Sequence, residues 1–116
     1  MTGRFLSALS FCLLAVSASA ADPGWARLRV PGFWEKEHGG TLPAYDGYAW
    51  YRCFVKVPAE WKGSALSLEL GLIDDCDETF FNGARIGAMG TLKPYRTASG
   101  YQRRYAVAPA SVHYGD

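Results

Sequence analysis

Cysteine and histidine are scarce in this sequence. The chain has 3 cysteines and 2 histidines, which excludes the disulfide framework that holds many small secreted domains together. His38 lies in a glycine-rich stretch and His113 near the end of the chain, and neither follows the pattern that surrounds a catalytic serine. We therefore expect no hydrolase activity from this chain alone, and we predict no cofactor and no metal ligand.

Long hydrophobic runs are absent except at the N-terminus. Arg4 precedes an apolar stretch over 5–16, and Ala18-Ser19-Ala20 has the small-residue pattern of a signal-peptidase site. The run is shorter than the roughly 20 residues that a transmembrane helix needs. These features predict a signal peptide over residues 1–20, a single small mature domain over 21–116, and a secreted or periplasmic location. An uncleaved N-terminal membrane anchor is the alternative.

Charge of one sign is lacking as well. The chain has 12 basic and 11 acidic side chains, and removing the leader with Arg4 makes the mature chain formally neutral. Proteins that bind nucleic acid or an anionic membrane surface carry a clear excess of positive charge. Neither partner is expected here.

Helical periodicity is missing beyond residue 21, and alternation of apolar and polar residues takes its place. Strands are predicted over 25–30, 48–57, 64–70, 79–81, 84–86 and 101–107. Long loops are predicted over 33–46 and 87–100, and a short turn over 59–63. Short strands without crossover helices are typical of an antiparallel sandwich or barrel. The fold class is therefore predicted to be all-β.

The strongest local pattern is the Asn82-Gly83 pair between two apolar runs. Both residues of a type I′ hairpin turn need positive φ, and Asn-Gly meets that need best. A two-residue turn places Phe81 opposite Ala84 and Phe80 opposite Arg85.

Two mature cysteines remain after cleavage, Cys53 and Cys76. An oxidising compartment permits a disulfide between them. Two separate buried thiols that act as small apolar side chains are the other interpretation.

Acidic residues crowd the segment before the hairpin, where Asp74, Asp75, Asp77 and Glu78 lie close in sequence. Carboxylate oxygens bind hard cations such as Ca²⁺, but this spacing does not match a helix-loop-helix calcium site. The aspartates can instead accept backbone N–H bonds and hold the loop, or contact a sugar. We favour the structural role.

Aromatic side chains are plentiful, at 15% of the chain. Trp50 and Arg52 share one face of a predicted strand and, with Asp46, could hold a sugar together. The structural interpretation is core packing of Trp50 and an ion pair of Arg52 with an acid such as Asp74 or Asp75, and we favour it. Further aromatics border the long loops, where binding usually resides: Trp34, Tyr45, Tyr95 and Tyr101. They could form a stacking platform for a ligand or, as an equal alternative, cover the ends of a small sandwich.

Several of these segments together resemble a known family. In order along the chain they are Trp25, Pro31, the Asp46–Arg52 block, the run Leu70–Asp75, Phe81-Asn82-Gly83, Ile86-Gly87 and 103–109. This arrangement resembles the galactose-binding-like jelly-roll domain of family 2 glycoside hydrolases and, more closely, that of sialate O-acetylesterases.

The resemblance implies a non-catalytic β-sandwich domain that serves a catalytic hydrolase module in the same polypeptide and has a possible carbohydrate contact. A stand-alone carbohydrate-binding module is the alternative. The catalytic motifs of both families are absent, and so is the closing strand that would follow Gly115. We interpret the chain as a C-terminally truncated jelly roll; a natural small protein with its open edge covered by a partner is the other explanation. The candidate ligand-binding residues are Asp46, Trp50, Arg52, Asp74, Asp75 and Asn82.

Overall fold

The computed structural model describes the backbone of residues 4–7, 14–17 and 26–28, and residues 47–115 in full. Ten strands occur in these ranges: β1 (Arg4–Ser7), β2 (Leu14–Ser17), β3 (Ala26–Leu28), β4 (Trp50–Arg52), β5 (Leu66–Leu72), β6 (Asp77–Phe81), β7 (Ala84–Met89), β8 (Thr91–Leu92), β9 (Tyr95–Arg96) and β10 (Gln102–Val107). Two 3₁₀ turns, Ala59–Trp61 and Pro109–Ser111, complete the described elements.

The chain divides into two compact units, Leu9–Val55 and a larger unit of Met1–Ala8 with Lys56–Asp116. In the smaller unit, β2 pairs antiparallel with both β3 and β4. The predicted strand over 48–57 is wrong in length, because regular pairing covers only Trp50–Arg52. Val57 makes an isolated bridge to Tyr114 in the larger unit. The predicted loop over 33–46 lies outside the described residues.

The larger unit is built on a three-stranded sheet with β5 at its centre. On one side β10 pairs antiparallel with β5. On the other side β1 pairs parallel with β5. Both β1 and β2 fall within the predicted signal peptide, whose cleavage stays a prediction.

The β6–β7 hairpin confirms the turn expected at Asn82-Gly83. Both turn residues have positive φ, 46° and 81°, and Phe81 and Phe80 pair with Ala84 and Arg85. The pairing then shifts by one residue, so that Thr79 lies opposite Gly87 and Ile86 is the extra residue of a bulge. The pairing of segments 79–81 and 84–86 that the sequence predicts is therefore interrupted at Thr79.

A second hairpin occupies the segment that was expected to be one long loop, 87–100. There β7 extends to Met89, and β8 and β9 pair antiparallel across a Lys93-Pro94 turn. The alternation that marks a strand cannot be recognised in strands of two residues, which explains the error.

The apolar core of the larger unit consists of Val57, Leu66, Val107 and Val112. Trp61, Leu68, Phe81, Ile86 and Tyr114 pack against it. Residues 103, 105 and 107 of β10 are buried and alternate with exposed ones, and Tyr105 of this buried face lies against Gly87 of the β6–β7 hairpin.

The described structure is therefore all-β, with mainly antiparallel sheets. No α-helix occurs in the described residues, and none of their helical segments is long and apolar enough to cross a membrane.

Gly87 provides a test of this packing. A Cβ at this position would lie 2.1 Å from Cδ1 of Tyr105, so Gly87→Ala should displace the ring and cost about 1–3 kcal/mol of stability. Urea unfolding followed by tryptophan fluorescence measures the loss.

Gly100→Ala is the matched control, because an added Cβ there meets no atom within 4 Å. Its stability should stay within about 0.5 kcal/mol of wild type. Equal midpoints for the two variants would contradict the proposed contact between β7 and β10.

Candidate functional site

A buried arginine organises the loops at one end of the larger unit. The side chain of Arg103 is 0% exposed, and its Nε donates to Oδ1 of Asp77 at 2.7 Å. Arg103 is buried because it follows the same alternation on β10 as Tyr105 and Val107. A charge at such a position must be paired, since an unpaired buried ion costs several kcal/mol.

The remaining N–H groups of Arg103 donate to backbone carbonyls. Nη1 bonds the carbonyl oxygens of Ala98 and, at 2.6 Å, Tyr101. Nη2 bonds the carbonyl oxygen of Asp75 at 3.0 Å. One guanidinium therefore fixes both the loop before β6 and the loop between β9 and β10.

Asp77 is equally well satisfied. Besides Arg103, its carboxylate accepts the hydroxyl protons of Tyr105 and Thr79, each at 2.8 Å. Burial, followed by the hydrogen bond to the Asp77 carboxylate, raises the pKa of Tyr105 from its usual 10.0 to about 12. Asp77 thus has a structural role.

An exposed cluster lies beside this buried network. The carboxylate of Asp75 accepts hydroxyl protons from both Tyr95 and Thr97, and the backbone N–H of Ser99 donates to Oγ1 of Thr97 at 3.2 Å. We call Asp75, Tyr95, Thr97 and Ser99 the Asp75 cluster. Ala98 N–H also donates to the Asp75 carbonyl, so side-chain and backbone contacts join the same two loops.

The hydrogen bonds of the Asp75 cluster set its protonation. The Thr97 hydroxyl and then the Tyr95 hydroxyl hold the pKa of Asp75 below its usual value. The bond to Asp75 raises the pKa of Tyr95. Near neutral pH the cluster therefore presents an ionised carboxylate and a neutral phenol.

Exposed apolar side chains occur in the segment 92–101, which also supplies the hydroxyl partners of this carboxylate. Tyr95 is 60% exposed and Tyr101 is 65% exposed. Leu92 lies opposite Tyr95 in the short hairpin and is also exposed. Arg103 holds the main chain of Tyr101, so at least one of these exposed rings is attached to a fixed backbone.

The sequence-predicted residues fall in several places. Asp75 is in the cluster, and exposed Asp74 precedes it in the chain. Trp50 and Arg52 lie on β4 of the smaller unit. Asn82 forms the hairpin turn, and its Nδ2 donates to the Ser111 carbonyl at 2.7 Å, which indicates a structural role.

Other predicted residues cannot be placed. Asp46, Trp34, Tyr45 and His38 lie outside the described residues.

Three of the four crowded acids have separate partners. Asp75 and Asp77 bond the groups described above, and Glu78 pairs with Arg85 at 2.7 Å on the surface. The expectation that backbone N–H groups satisfy these acids is wrong for the described contacts, in which hydroxyls and guanidinium groups donate to the carboxylates. Among described side chains, no three His, Cys, Asp or Glu residues lie close enough to hold a metal ion.

The Cys53–Cys76 disulfide is also wrong. Cys76 has a free thiol, which contacts the carbonyl oxygens of Thr91 and Arg96 at 3.7 and 3.5 Å. The thiol therefore points beneath the β8–β9 hairpin. Cys53 is disulfide-bonded and belongs to the smaller unit, so the alternative of two separate buried thiols is also wrong. Cys76 is a free thiol, but it is half-buried rather than buried.

Sequence reasoning missed the residues that build the site. Arg103 and Tyr105 were assigned to a strand without a role, and Thr97 was placed in a loop. One sequence pattern does indicate Arg103. It alternates in step with Tyr105 and Val107, so its side chain lies on the same buried face of β10. An arginine at a buried position requires an acidic partner.

Tyr105 gives a pH test of the buried network. Because its folded pKa of about 12 exceeds the usual 10.0, its contribution to stability is complete below pH 10 and is lost as the pH rises through 12. Tyr105→Phe should flatten the fall in unfolding free energy over this range, measured by urea titration at several alkaline pH values. An unchanged slope would contradict the assignment of Tyr105 to Asp77.

No protein-family model matches this chain, and no curated protein or solved structure is significantly similar to it. The resemblance to the hydrolase-associated jelly rolls therefore remains an expectation.

Proposed function

We propose that this chain is a non-catalytic β-sandwich domain, of the galactose-binding-like jelly-roll type, that contacts carbohydrate through the Asp75 cluster. Its place in a secreted carbohydrate-active hydrolase is part of the same proposal. The predicted signal peptide and the ordered motifs from Trp25 to residue 109 support that context.

The observation that carries the proposal is the pairing of exposed Tyr95 with the ionised carboxylate of Asp75. Sugars present hydroxyl groups at their edges and C–H groups on their ring faces. A carboxylate accepts hydrogen bonds from the hydroxyls, and an aromatic ring packs against the C–H face. The Asp75 cluster offers both surfaces.

The same geometry favours binding over hydrolysis. A glycosidase general acid needs a raised pKa, whereas hydrogen bonds lower the pKa of Asp75. Two residues along, the Asp77 carboxylate is buried and engaged by Arg103, Tyr105 and Thr79. The Asp77 carboxylate is therefore not accessible to a substrate.

A catalytic hydrolase module in the same polypeptide is the proposed partner. The domain would then hold sugar beside that module's active site, where weak contact is sufficient. A stand-alone carbohydrate-binding module would use the same cluster but would need useful affinity by itself. The affinity of the isolated chain separates these two roles.

Titration with neutral oligosaccharides tests the proposal. We expect a gluco-, xylo-, manno- or galacto-oligosaccharide to bind with a Kd on the order of 1 mM, or about −4 kcal/mol. Tyr95→Ala should weaken binding about tenfold, by about 1.4 kcal/mol. Chemical-shift changes in NMR spectra of the whole chain provide both the affinity and the location.

Phe54→Ala is the matched control, since Phe54 is 87% exposed and lies in the smaller unit. It should bind as wild type does. Failure of every oligosaccharide to bind would overturn the proposal. Loss of binding in Trp50→Ala with full binding in Tyr95→Ala would instead assign the contact to β4.

A further inference from the structure

The hydroxyl protons of the Asp75 cluster have defined directions. Tyr95 and Thr97 each have one hydroxyl proton, and each donates it to the Asp75 carboxylate. The Ser99 hydroxyl oxygen lies 3.2 Å from Oγ1 of Thr97. Because the Thr97 proton is engaged by a carboxylate, the Ser99 hydroxyl is the donor of that pair. Two of the three hydroxyl protons are therefore directed at Asp75, and the third is directed at Thr97.

The Asp75 cluster retains acceptor positions that its internal hydrogen bonds do not use. Each carboxylate oxygen of Asp75 takes one of these protons and keeps another acceptor position. The Tyr95 oxygen also retains its acceptor lone pairs. Thr97 accepts from the backbone N–H of Ser99 and from the Ser99 hydroxyl. The side chains of the cluster can thus accept hydrogen bonds from a ligand but have no hydroxyl proton to donate.

The nearby arginines do not supply the missing donors. The side chain of Arg103 is buried and directed at Asp77 and three carbonyls. Arg96 follows Tyr95 on β9, so it projects from the opposite face of that strand. Arg104 alternates with Arg103 and pairs with Glu69. Lys93 is exposed, lies in the turn of the short hairpin and precedes Tyr95 by two residues.

We infer that the Asp75 cluster selects neutral sugars that donate adjacent hydroxyls, and that it discriminates against sugars carrying a carboxylate or sulfate. This inference rests on the proposed function and names its ligand class. Two neighbouring hydroxyls of one ring match the two free acceptor positions of the Asp75 carboxylate. An anionic group in their place meets a negative charge and no donor, and like charges at close range repel.

Matched ligands test the inference. Each neutral sugar that binds is compared with its uronate, in which a carboxylate replaces the hydroxymethyl group, and with its O-methylated form, which accepts but does not donate hydrogen bonds. We expect both changes to weaken binding at least tenfold in NMR titrations at pH 7. Lowering the pH through the depressed pKa of Asp75 should weaken binding of the neutral sugar, because protonation removes the acceptor.

The variant Asp75→Asn provides a second test of the inference. The amide has one acceptor oxygen, and the Tyr95 and Thr97 hydroxyls are no longer drawn to a charge, so the preference for the neutral sugar over its uronate should fall below threefold. Glu60→Gln makes the same change of charge at an exposed position in the Ala59–Trp61 turn and should retain wild-type preference. Spectral dispersion shows whether each variant is folded.

The outcomes separate the two claims. Uronates that bind as well as neutral sugars would overturn the inference and leave carbohydrate binding intact; loss of that uronate binding in Lys93→Gln would identify the cation responsible. Equal binding of the O-methylated sugar would also overturn it. If no sugar of any class binds, the proposed function and the inference both fail.

Discussion

The buried ion pair between Arg103 and Asp77 is the interaction on which this end of the protein depends. Taking two charges out of water is costly, and it is tolerated only when hydrogen bonds satisfy both groups. Here three carbonyls complete the coordination of the guanidinium, and two hydroxyls complete that of the carboxylate. Losing one partner of such a pair typically costs about 3–5 kcal/mol. That is a large share of the total stability of a small domain.

The ion pair also explains how an exposed site can be well defined in a domain with a small core. Arg103 fixes the backbone of Asp75 from below, while Tyr95 and Thr97 hold its side chain from the surface. Two carboxylates only two residues apart thus have different roles. The Asp77 side chain is 8% exposed and accepts three hydrogen bonds, whereas Asp75 is half-buried and its carboxylate accepts two. Alternation along the chain does not explain the different roles of Asp75 and Asp77. Their hydrogen-bond partners do.

The fold could be predicted where the pattern was local, and the site could not. The Asn82-Gly83 turn and β10 depend on neighbouring residues, and the sequence identified both. The short β8–β9 hairpin has too few residues to show alternation. Asp75 was selected because acids crowd its segment, but its partners Tyr95 and Thr97 lie 20 and 22 residues away. Such contacts arise from tertiary packing, and a single sequence contains no local sign of them.

The most direct test of the account is an NMR measurement on the side chain of Arg103. An arginine exposed to water gives averaged Nη signals that exchange rapidly with solvent. We predict that Arg103 instead shows a protected Nε–H signal and separate, slowly exchanging Nη–H signals, because its N–H groups are bonded to Asp77 and to backbone carbonyls. Averaged, unprotected Arg103 signals in a folded protein would contradict the account.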